Sequence, residues 1–472
     1  MRTSTALIAS LAAAGSAWAQ QDVQRRIERA IRTADPAERL KADMTLGLSE
    51  RSVLDVGGYT ALTFVHLNDS SDNSRRLWQP EVTLYGRSVI DGAHTFFARA
   101  RFQYQAFSEG DSFDGRGDDW TTPFLDRYWY EFDMKRAAAA YEGRTIDGNI
   151  NVRAGRQFVD WGNGLVLSEN LYAVRPTFEY ERFKLEGLAG VTPGDESVTD
   201  FDASWKDFDN DVFRGWFGGK LSYRTKAADE FYGFFIHQAD FNGDRDPRLG
   251  VGTVDFDYDS SYLGIGADGS FTSNLIYLAE FVYEFGESQS DPLRGVQSGE
   301  DISAWAARGQ LTYLLGDAWS TRFEYENIFA SGDSNRLTTS DTVGGNLAGS
   351  RDTAFNSMGF VNTGLAFSPS LSNIMTFRLG ASTFPFTAVD GFQQFQVGID
   401  LFALNKMDPK GPIDEPTSDD RFLGFETDLF MNYRITSDLA VTARYGVFFP
   451  GAAIATETDT RHFVFFGVTL SF

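Results

Sequence analysis

The last eleven residues, His462-Phe-Val-Phe-Phe-Gly-Val-Thr-Leu-Ser-Phe472, alternate without a break. His462, Val464, Phe466, Val468, Leu470 and Phe472 share one face; Phe463, Phe465, Gly467, Thr469 and Ser471 share the other. A period of two is that of a β-strand, and two unlike faces mean two unlike environments. The first face is almost wholly apolar, while the second becomes small and polar toward the end.

The same period governs the chain from about residue 50 onward. Phe96, Ala98, Ala100 and Phe102 alternate with Phe97, Arg99, Arg101 and Gln103; Tyr128, Tyr130 and Phe132 alternate with Arg127, Trp129 and Glu131. Leu423, Phe425, Leu429 and Met431 oppose Glu426 and Asp428. Each segment is about ten residues long, as a tilted membrane strand should be. About eighteen such segments run from 53–66 to 462–472, and they include 178–190 and 356–367. The expected fold is all-β: a transmembrane antiparallel up-and-down β-barrel over 49–472, wide enough for an aqueous lumen. Tight turns such as Asp91-Gly92-Ala93 contrast with long polar connections such as 108–123 and 330–355, as short periplasmic turns and long outer loops would. Two long connections, 191–211 and 403–420, fall where this count wants a short turn.

Ahead of the strands, residues 1–19 read as a secretory signal peptide: Arg2, an apolar stretch from Ala6 to Ala14, and Ala17-Trp18-Ala19 as cleavage site. Residues 20–48 form a periplasmic segment, with a helix expected from Asp22 to about Met44. No later segment approaches the roughly 18 uninterrupted apolar residues of a membrane helix. Aromatic residues reach 15%, yet mean hydropathy is mildly polar at −0.28. A barrel combines the two because every second residue meets lipid and the others water. A net charge of −24 argues against nucleic acid as a partner. Cysteine is absent although an oxidising compartment would allow disulfides.

Two resemblances follow. A final strand closing on an aromatic, Phe472, is similar to the C-terminal assembly signal of bacterial outer-membrane barrels, which implies outer-membrane lipid and the barrel-assembly machinery as partners. The stretch Gly155-Arg156-Gln157, then Asp160-Trp161-Gly162-Asn163-Gly164, then a strand with Phe178, Arg182, Phe183 and Lys184, resembles the alginate export family. That resemblance is sharp over roughly 150–190 and architectural elsewhere; Leu165 departs from it, standing where a basic or polar residue is expected. It implies passage of an anionic polysaccharide through an arginine-lined pore; the inward charges described next suit a small polar or anionic solute as well.

The alternation aims Arg99, Arg101, Arg127, Arg153, Arg182, Lys184, Arg214 and Lys220 into the lumen. Rings or ladders of such residues make anion pathways. Trp129 and Trp216 beside them are candidate platforms for sugar rings. Glu280, Glu284, Glu324, Glu326, Glu426 and Asp428 point inward from later strands, so the wall is either a basic stripe facing an acidic one or a salt-bridged lining that only stiffens the barrel. A general diffusion porin is the alternative function. Asp240 to Asp246 spaces oxygens like a calcium loop but lacks the closing glutamate; no metal or cofactor is assigned. A hydrolase would have to begin at His66 near Asp69 and Ser70, since no nucleophile elbow or zinc-binding helix motif is present. No enzymatic activity is expected.

Overall fold

The computed structural model describes residues 41–68, 73–108, 118–122, 124–193, 213–241, 258–291, 294–337, 345–456 and 459–472. The signal peptide, the expected N-terminal helix up to residue 40 and the calcium-like loop beyond Phe241 lie outside them. Residues 41–48 run as turns.

The strands form one closed antiparallel sheet. Among the described residues nineteen strand segments, β1 (Ser52–Asn68) to β19 (Arg461–Ser471), make it. The short β4 (Asp119–Thr121) and β5 (Leu125–Asp133) both pair with β3 (His94–Phe107), one above the other, so they are one interrupted stave of an 18-stranded barrel. The barrel closes where β19 pairs with β1, from Leu67↔Phe463 to Tyr59↔Ser471. Phe472 adds a reciprocal pair of backbone bonds with Gly58, each 2.9 Å. One short helix, α1 (Met134–Ala137), follows β5 on the short-turn rim and is capped by the Asp133 side chain.

The two faces separate as the period demands. Leu62, Val82, Phe102, Phe217, Phe281, Leu379, Leu429 and Phe466 are exposed outward. Glu81, Arg99, Gln103, Glu280, Glu326, Arg378 and Glu426 are buried inward.

Two corrections restore the count. The segment 178–190 is not one strand: β7 (Leu167–Tyr180) and β8 (Phe183–Val191) form a hairpin about a turn at Glu181-Arg182. Pro176 and the charged Glu169, Arg175 and Glu179 mask β7 as a loop in the sequence. Conversely, 356–367 is no stave; it belongs to the connection between β14 (Arg322–Ala330) and β15 (Ile374–Thr383). With both changes, the connections after β8 and after β16 (Phe395–Asn405) emerge on the same rim as the other long ones.

Candidate functional site

Three features shape the lumen. The first is a stave pair that leaves the wall. β6 (Gly148–Trp161) pairs with β5 only up to Arg156↔Tyr128, and β7 pairs with β8 only up to Tyr172↔Val191. The two continue pairing with each other to Trp161↔Leu167. Their upper half is therefore a free hairpin, and it folds inward. Gly155 sits at the bend with φ +134°, where a Cβ would lie 2.4 Å from the Tyr128 carbonyl oxygen, so no other residue fits. Gln157 Nε2 donates to the Ala173 carbonyl at 3.0 Å, and Arg156 Nη1 donates to the Tyr172 hydroxyl at 3.1 Å. The Gly-Arg-Gln motif is thus the hinge of this hairpin, not part of the basic stripe.

The tip reaches the opposite wall. Asn163 Nδ2 donates to the Tyr232 hydroxyl of β10 (Glu230–Asp240) and, at 3.3 Å, to Glu280 of β12 (Leu275–Gln289). Arg308 of β13 (Gly299–Leu314) donates to the Asn163 carbonyl at 2.7 Å. Leu165, Val166 and Leu167 are fully buried there, which accounts for the apolar Leu165.

The second feature is the connection 331–373, whose described part crosses the lumen. One arm adds backbone to β13 through Ser303 N to Asp352 O at 2.8 Å, locked by a buried Arg336–Asp352 pair at 2.5 Å. Burial pushes the Asp352 carboxyl up from its ordinary value, and Arg336 pulls it back. The middle meets the hairpin: Ser168 N donates to Met358 O at 2.8 Å, and Gly164 packs on the Phe360 carbonyl. The far arm ends on β17 (Phe422–Arg434), where Glu426 accepts from the amides of Leu365, Ala366 and Phe367 at 2.5, 2.7 and 3.0 Å. Phe367 stacks on Phe448, centroids 4.3 Å apart. Hairpin and loop together form a packed crossbar.

The third feature is the charged wall. Arg99, Arg101, Arg127 and Arg153 face inward on adjacent staves. Arg99 is spent on Asp126: its Nε donates to Oδ1 at 2.9 Å and its Nη2 closes the second bond. Asp126 is turned inward by a register shift opposite Arg99/Ala100. Arg101 stands 3.9 Å from the same carboxylate and keeps more of its side chain exposed, 13% against 7%. Arg127 lies over the Phe158 ring at 5.2 Å. Arg153 pairs with Glu131 at 2.5 Å and covers the Trp129 ring at 4.0 Å. Lys184 pairs with Glu186 at 2.9 Å, Arg214 with Asp240 at 3.7 Å, and Lys220 lies over Tyr232 at 4.2 Å.

Three sequence readings change. Arg182 is exposed in the β7–β8 turn, because the strand expected there is a hairpin. Trp216 is fully buried against Tyr262 and offers no platform. Trp129 has Arg153 on its ring and Phe97 stacked at 5.2 Å, so its ring is occupied too. The acidic residues do point inward, but Arg308 and Arg378 are threaded among them: Arg378 reaches Glu326 at 2.7 Å and Asp400 at 3.0 Å. Sequence reasoning missed Asn163 as an anchor, Tyr232 and Arg308 as its receivers, and the whole inserted loop; the length of 330–355 was the available signal.

The model of the alginate export family matches residues 126–466. No curated protein matches the chain. Among solved structures, several Pseudomonas aeruginosa proteins share the fold. OccK2 (OpdF) in complex with glucuronate has a TM-score of 0.52 at 11% identity, covering 89% of this chain and 97% of that one. OccK8 (OprE) has a TM-score of 0.51 at 10% identity, covering 90% and 99%. OpdK with vanillate has a TM-score of 0.51 at 12% identity, covering 89% and 98%.

Proposed function

The chain belongs to the alginate export family, and we propose that this outer-membrane channel passes small anionic solutes, sugar acids foremost, along the basic wall of β3, β5 and β6. The observation that carries the reading is the contiguity of Arg99, Arg101, Arg127 and Arg153 on the inward register of neighbouring staves. The crossbar supports it. Its far anchors run to β10, β12, β13 and β17, across the lumen from β3, while its base rises from β6 beside Arg127, which packs on Phe158. Cations in a narrow low-dielectric channel focus potential and raise the local concentration of anions.

At 10 to 12% identity the OccK structures carry the fold and not the solute, so the reading rests on charge placement in this chain. The pairing of Arg99, Arg153 and Lys184 with carboxylates favours a second reading, a general diffusion porin whose wall charges serve rigidity. Planar-bilayer reversal potentials under a salt gradient separate the two. Wild type is expected to prefer anions, and an Arg99→Ala/Arg101→Ala/Arg127→Ala variant to lose that preference. Cation preference in the wild type would sink the proposal.

A further inference from the structure

Beneath the hairpin tip, on the short-turn side, the lumen opens into a recess of about 650 Å³, a size suited to a small-molecule site. Its wall has a pattern that a water-filled pore does not call for. Two registered rows cross the neighbouring strands β11 (Asp259–Thr272), β12 and β13: Asp268, Leu278, Gln310 and, one step lower, Ser270, Ile276, Thr312. Each row places an apolar residue in the middle and a hydrogen-bonding residue on either side. Ile276 is 41% exposed on this inward face. With strands about 4.8 Å apart, the two polar flanks stand about 10 Å from each other across an apolar strip.

We infer that this recess is a hydroxyl-binding subsite for a pyranose ring. A sugar ring has a C–H face that packs on apolar surface and a rim of hydroxyls, each both donor and acceptor. The strip of Ile276 and Leu278 meets the first requirement. The flanks meet the second: Asp268 accepts, Ser270 does both, Thr312 accepts because its hydroxyl donates to Glu324 at 3.4 Å, and Gln310 keeps its amide oxygen while its Nε2 is held by Glu324 at 2.6 Å. The arginine wall lies across the lumen, so a sugar acid would meet carboxylate recognition in one place and hydroxyl recognition in another. The inference rests on the sugar-acid reading above and deepens it.

Glucose, neutral and without a carboxylate, isolates the subsite. Added to each chamber of a planar bilayer in turn, it should produce concentration-dependent current noise with wild-type channels. Thr312→Val and Ile276→Asn each leave net charge unchanged, and each should weaken the apparent glucose affinity at least tenfold while the reversal potential stays at the wild-type value. Two variants at different places in the recess, both checked for heat-modifiable gel migration, guard against a folding defect. Wild-type channels indifferent to glucose, or variants that keep the full glucose response, would overturn the subsite. Failure of the anion reading would show separately, in the reversal potential.

Discussion

At the scale of single residues, inward arginines divide into those that hold the wall and those left for a solute. Arg99 makes two bonds to the buried Asp126; removing one partner of such a pair strands the other charge, at a cost of about 3–5 kcal/mol. Arg99→Ala should therefore lower resistance to denaturation of the detergent-solubilised barrel, whereas Arg101→Ala, with its partner 3.9 Å away, should leave stability nearly intact and reduce anion preference. Equal destabilisation by the two substitutions would contradict this division. The inward direction of both was legible, because alternation alone fixes which face a side chain takes. Their partners were not. Asp126 breaks the alternation, and only the bulge against β3 turns it toward Arg99. Trp216 was misread for a related reason: periodicity gives the direction of a side chain but not what else fills the lumen there.

At the scale of elements, the unread parts are those that leave the wall. Periodicity reports two faces, yet a hairpin buried inside a barrel also has two faces, so the alternation of β6 and β7 does not show that their upper half departs. The glycine of Gly155-Arg156-Gln157 was the one local hint, since its φ of +134° makes the bend. Likewise 356–367 is no membrane strand: residues 357–361 meet the hairpin and the amides of 365–367 meet Glu426 on the barrel wall. Arg308 holds the Asn163 carbonyl and also pairs with Glu326 at 2.7 Å. Arg308→Ala should loosen the tip and give single channels of higher, flickering conductance with normal assembly. Gly155→Val forces a strained backbone costing on the order of 1–3 kcal/mol, and should reduce the yield of folded barrel. An unchanged conductance trace for Arg308→Ala would mean that Glu280, Tyr232 and the inserted loop suffice to seat the tip.

For the whole molecule, closure is the governing constraint: a sheet in lipid cannot leave an edge unpaired, because unsatisfied backbone groups have no water to turn to. The strand total was legible for this reason even though two individual assignments failed. One missed stave, β7, and one spurious stave, 356–367, cancel in number but displace every rim assignment between them. That displacement surfaced as the misplaced long connection at 191–211. The seam itself is β1 with β19, and its last bonds are those between Phe472 and Gly58. Phe472 lies on the outward register of Leu470 and Val468, with its side chain largely exposed. A charge there faces the lipid boundary, where the penalty is only about 0–1 kcal/mol for the basic residues and less for Asp or Glu, too little by itself to unfold a closed barrel. Phe472→Asp should nevertheless cut the amount of barrel in the outer membrane severely, because the terminal strand must be recognised before the seam can close. The few molecules that insert should show wild-type conductance and anion preference, since Phe472 touches neither the arginine wall nor the crossbar. Outer-membrane levels measured by heat-modifiable gel migration, alongside single-channel recordings, check both halves; normal levels of the variant would show that closure proceeds without the aromatic end.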